Sequence, residues 1–136
     1  MTLQSIRGWQ DHFEAGRKYF KAACNGRGRP AVFNNELIFQ LAAMAVERMM
    51  VGICQFHRQM PVDHTLSGLV EALQAVSPLD DELAGRIRRI ERIDDMCTLS
   101  PARRRPPGRE EIREILAVGD RLLQFAAEHL PRCEAA

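Results

Sequence analysis

Between Glu36 and Leu73 apolar residues recur at helical rather than alternating spacing. Leu37, Leu41, Met44/Ala45, Arg48/Met49, Gly52/Ile53 and Phe56 share one face of a segment whose only glycine is Gly52. Met60-Pro61 breaks the pattern, because proline crowds the preceding residue out of the helical region. About 24 helical residues span roughly 36 Å at 1.5 Å per residue. That length in a 136-residue chain predicts a bundle with this helix, about 31–59, as its spine.

The same period marks the other elements. Ile6, Trp9, Phe13, Gly16/Arg17, Phe20 and Ala23/Cys24 form the stripe of a first helix over about 3–23, closed by Asn25-Gly26 as a left-handed turn. Gly26 to Pro30 is a basic connector. Beyond Pro61, Thr65 has the character of an N-cap, with Leu66, Leu69, Val70 and Leu73 as a buried face. Ser77-Pro78 predicts the start of a fourth helix reaching about Cys97, with Leu83, Ile87, Ile90 and Ile93/Asp94 inward. Thr98 to Gly108, with three prolines and a triple arginine, predicts a basic Pro-rich loop over about 98–109. The last helix opens at Glu110-Glu111, carries Ile112, Ile115/Leu116, Gly119, Leu122/Leu123, Ala126 and Leu130, and stops at Pro131. No segment alternates with period two. The expected fold is all-α, an antiparallel four- to five-helix up-and-down bundle formed by residues 1–136 as one domain.

Composition refines this picture in three ways. With 46% hydrophobic and 27% charged residues the chain is in the globular class. A net charge of +1 supplies no global field toward nucleic acid or anionic lipid. Cys24, Cys54, Cys97 and Cys133 form no CxxC pair, and the first residues carry no apolar signal core, so a reduced cytoplasmic protein is expected. No uninterrupted apolar run reaches the 18 or so residues of a membrane span, so no membrane partner is expected.

Three features resemble the HEPN family (higher eukaryotes and prokaryotes nucleotide-binding). The second helix mixes small and charged residues in LAAMAVERMMVGIC; the junction PVDHTLSGLVEAL is similar to the family's Pro-rich break followed by His-x-Leu-x-x-Leu; and a long helical segment, a loop and a closing amphipathic helix follow. The resemblance covers about Arg7 to Leu130. It implies a four- or five-helix bundle, commonly a homodimer. Many members partner a minimal nucleotidyltransferase, and others are metal-independent ribonucleases with an Arg, four to six intervening residues and then a His, near the start of the last helix. Between Ile93 and Ala127 this chain has no His, so Arg92, Arg103, Arg104, Arg105 and Arg109 lack that downstream partner. The implied role is a non-catalytic binding module for a nucleotidyltransferase, a nucleotide or RNA, with a ligand-free structural homodimer as an alternative.

Three sets of residues are candidates for chemistry. Arg58 and His64 have the ribonuclease spacing, with His suited to shuttle the 2′-hydroxyl proton and Arg to hold the phosphate, but they lie between the second and third helices. They mark the alternative of a divergent ribonuclease. Glu47-Arg48, on or beside an apolar stripe, are candidates to line a polar groove, against the plainer reading that they snorkel from its edge. Arg103, Arg104 and Arg105 are the densest basic cluster and suit phosphate, although no aromatic interleaves them for base stacking. No HExxH, ExxH pair or phosphate loop is present, so no metal and no cofactor is expected. Tyr19 lies off its helix's stripe, a position open to a dimer face.

Overall fold

A computed structural model describes residues 2–59, 61, 63–97 and 106–131, with side chains from residue 8 onward apart from Met96 and Cys97. Five helices, α1 (Thr2–Gly26), α2 (Asn35–Phe56), α3 (Leu66–Val76), α4 (Asp81–Cys97) and α5 (Arg109–His129), make an all-α bundle with no strand among the described residues. α2 is the spine and packs on α1, α3 and α5, while α4 packs on α3 and α5.

The α1–α2 pair is the tightest. Trp9, Phe13, Phe20 and Ala23 are buried on α1, and Ala42, Ala45, Val46, Met49, Met50, Ile53 and Cys54 on α2. Two glycines let the backbones approach. A Cβ on Gly16 would lie 2.9 Å from the Ala45 carbonyl oxygen and the Met49 nitrogen, and one on Gly52 would lie 2.9 Å from the carbonyl oxygen of Trp9. These numbers run in opposite directions, so the two helices are antiparallel. The same holds for α4 and α5, where Arg86 meets Glu114 and Asp80 meets Arg121. Phe20 reaches across to lie over Gly119 of α5.

Helix boundaries depart from the expected ones for local reasons. α2 starts at Asn35, four residues late, because the Asn34 side chain accepts the Leu37 amide at 2.8 Å and caps the helix. It ends at Phe56, short of the Pro61 stop. The Arg58 amide donates to Gln55 O at 3.0 Å and Gln59 to Cys54 O at 2.9 Å, with Arg58 at φ 56°. This is the Schellman arrangement, with arginine where glycine is favoured. α1 does end at Gly26, but no glycine has positive φ. What the position requires is room, since a Cβ there would lie 2.8 Å from the Phe33 ring.

Thr65 caps α3 as expected, accepting from Gly68 N at 3.0 Å. Ser77, expected to cap α4, instead closes α3 by donating to Leu73 O at 2.8 Å. Asp80 takes over the cap of α4, accepting from Leu83 N at 2.7 Å. A carboxylate near the positive end of the helix dipole does this better than a hydroxyl. Of the predicted loop, Pro106 to Gly108 are described and non-helical, and Asn35 Nδ2 donates to Pro107 O at 3.3 Å.

The α2 stripe is also wider and rotated from the expected one. Leu37 and Met44, expected inside, are 38% and 44% exposed, whereas Ile38, Phe39 and Met50 are buried. A central helix with neighbours on three sides has no single apolar face. The same fact corrects the expectation about membrane-length segments. By length and composition α2 is apolar enough to cross a bilayer, with a mean hydropathy of 1.6 over its best window, of which 61% is buried inside the bundle.

Candidate functional site

α2 and α4 stand apart where the turn before α3 comes between them, and a cleft of about 440 Å³ opens there. Gln40, Ala43, Met44 and Glu47 of α2 form one wall; Glu91, Asp94 and Asp95 of α4 form the other. His64, Thr65 and Leu66 close one end. Each element supplies its residues for a visible reason. Ala43, Met44 and Glu47 lie on neighbouring turns of α2, and α4 presents Glu91, Asp94 and Asp95 beside its buried Ile87 and Ile90.

The turn that holds His64 is tightly built. Asp63 Oδ1 accepts from the Thr65 amide at 3.0 Å and also from the Thr65 hydroxyl. Those hydrogen bonds hold the Asp63 carboxyl below its ordinary range, the side-chain bond first. Gly68 fits closely beneath this turn, because a Cβ there would press on Asp63 Oδ1 and lie 3.0 Å from the Asp63 carbonyl oxygen. Ser67 donates to Glu91 Oε2 and ties the start of α3 to the α4 wall.

The cleft is acidic. Apart from His64, no basic side chain lines it among the described residues, and its carboxylates share a confined space. Asp94 is half-buried, and its carboxyl is pushed up by loss of water, then by Asp95 and Glu91. Such a site holds a positively charged group well and repels phosphate. Among the described residues no group of three His, Cys, Asp or Glu side chains is placed to hold a metal ion.

Glu47 and His64, selected from sequence for different reasons, thus meet on one cleft. Arg48 and Arg58 do not join them. Arg48 turns toward α1, where its Nη1 lies 3.0 Å from His12 Nδ1. Arg58 is exposed, forms the turn that stops α2, and does not line the cleft. The Glu47–Arg48 pair therefore serves two faces of α2 rather than one groove. Arg103, Arg104 and Arg105 lie outside the described residues. The sequence reading missed Glu91 and Asp95, which look like solvated charges on an amphipathic helix. A signal for Asp94 existed, in its place beside Ile93 at the end of the inward stripe. His12 was also missed; it sits one residue from Phe13 and so at the edge of the α1 stripe.

Comparisons with protein-family models, with curated proteins and with solved structures find no match to this chain.

Proposed function

We propose that this chain is a non-catalytic, HEPN-like helical bundle that acts by binding a partner protein, with the cleft between α2, α3 and α4 receiving a basic side chain of that partner. The observation that supports this reading is the convergence of Glu47 and Asp94, from separate helices, on a cleft whose lining also includes the apolar Ala43, Met44 and Leu66. An arginine or lysine suits this lining, with its stem against the apolar residues and its charge among the carboxylates. The partner implied by the resemblance is a minimal nucleotidyltransferase. A nucleotide or RNA is a poor occupant here, since its phosphates would face the same carboxylates.

The test is a binding titration between the purified chain and a minimal nucleotidyltransferase, repeated with Glu47→Gln/Asp94→Asn. Binding by the wild-type chain that weakens in the double variant supports the reading. No binding, or equal binding by both forms, removes it. The ribonuclease alternative, centred on Arg58 and His64, has its own readout. RNA cleavage by the purified chain that is lost in His64→Ala would replace the binding-module reading with an enzyme. The homodimer belongs to the same proposal. Leu37, outside the cleft on α2, is 38% exposed, an apolar position suited to a self-contact.

A further inference from the structure

We propose that His64 is a built-in competitor at the acidic cleft: when protonated it is the cleft's own cation, and it turns away the basic side chain of a partner as pH falls. The proposal rests on the partner-binding reading of that cleft and adds its regulation. His64 lines the cleft with Glu47 of α2 and with Glu91, Asp94 and Asp95 of α4. No other basic side chain lines it among the described residues. Imidazole is the side chain type whose ordinary titration changes its charge between about pH 5 and 8. The root of the ring is fixed beside the carboxylates. Asp63 Oδ1 accepts from the Thr65 amide at 3.0 Å, Thr65 Oγ1 accepts from Gly68 N at 3.0 Å, and Ser67 donates to Glu91. Both neighbours of His64 are thus tied to the start of α3, and α3 is tied to the α4 wall. Asp63, the acid next to it in the chain, spends Oδ1 on Thr65 and does not line the cleft.

The sign follows from charge. A neutral His64 leaves the carboxylates to a visitor. A protonated one shares their charge and repels an incoming guanidinium or ammonium group. By linkage, a seated visitor expels the proton to the same degree. Asp94 acts in the same direction. Burial, then Asp95 and Glu91, raise its carboxyl, so acid also reduces the negative charge that attracts a cation. A base and an acid on one cleft therefore weaken the binding of a cation together. Because His64 is exposed, its share is that of a charge pair open to water, about threefold to fivefold in affinity.

The probe is N-acetyl-L-arginine amide, whose guanidinium is its only charge and stays protonated throughout. The isotope-labelled full chain is titrated with it by NMR at about pH 8 and about pH 5.5, at one ionic strength, following the amides of Ala43, Met44 and Glu47. Wild type should bind about threefold or more tightly at the higher pH, and His64→Gln should lose most of that ratio. An equal ratio in His64→Gln overturns the proposal and assigns the effect to the carboxylates. Binding by wild type that does not change with pH overturns it while leaving the partner-binding reading in place. No saturable shift at either pH removes both. Should His64→Gln fail to fold, His64→Asn makes the same comparison.

Discussion

A Cβ placed on Gly119 would lie 2.1 Å from Cε1 of Phe20. The α5 backbone is thus the surface against which an aromatic ring of α1 rests. Gly119→Ala should therefore destabilise the protein by about 1–3 kcal/mol, the usual cost of overpacking a core. Gly85 is the control, because nothing lies within 4 Å of its Cβ position on exposed α4. Gly85→Ala should stabilise by about 0.5–1 kcal/mol through helix propensity alone. Thermal or denaturant unfolding of the two variants should give opposite signs; the same sign in both would show that the Phe20 contact is not rigid.

Arg58 gives a second test. Its φ of 56° lies in the left-handed region, which costs an L-residue roughly 1–2 kcal/mol. Arg58→Gly should raise stability by up to about that amount, and Arg58→Val should lower it. If Arg58 serves only to close the helix, as its geometry indicates, partner binding will be equal in Arg58→Gly and wild type. Loss of function with gained stability would return Arg58 to the candidate site.

Asp94 gives a third. Its folded pKa is raised by burial and by Asp95 and Glu91, so the folded chain holds this proton more tightly than the unfolded chain. Stability from this group is fully present below the ordinary value of 3.8 and is lost as pH rises through the elevated value. At pH 7.5 the ionised form is a net cost, and Asp94→Asn should raise the melting temperature. That advantage should shrink as pH falls toward 4. An advantage that is constant with pH would mean that packing, not charge, is responsible.

How much of this was legible in the sequence follows from which forces act locally. The five helices were readable because apolar period and capping residues are properties of short stretches; Thr65 as a cap and the buried Leu66, Leu69, Val70 and Leu73 show this. Choices between neighbouring cap residues were not. Ser77 and Asp80 both suit a helix terminus, and only the packing of α3 on α4 assigns each to its helix. The exposure of Leu37 and Met44 was hidden for a similar reason, since a helix with several neighbours has no single inward direction. The candidate site was half legible. Glu47 and His64 could be selected one at a time, but their meeting, and the break between Glu47 and Arg48, depend on where α1 and α4 lie.

That break also sets what the surface can do. Two adjacent positions of one helix send a negative group to one side of the molecule and a positive group to the other. The spine therefore presents opposite charges on two of its faces, one toward the cleft and one toward α1. A basic group seated in the cleft would leave the α1 side of the helix untouched, because Arg48 and His12 line no part of that cleft.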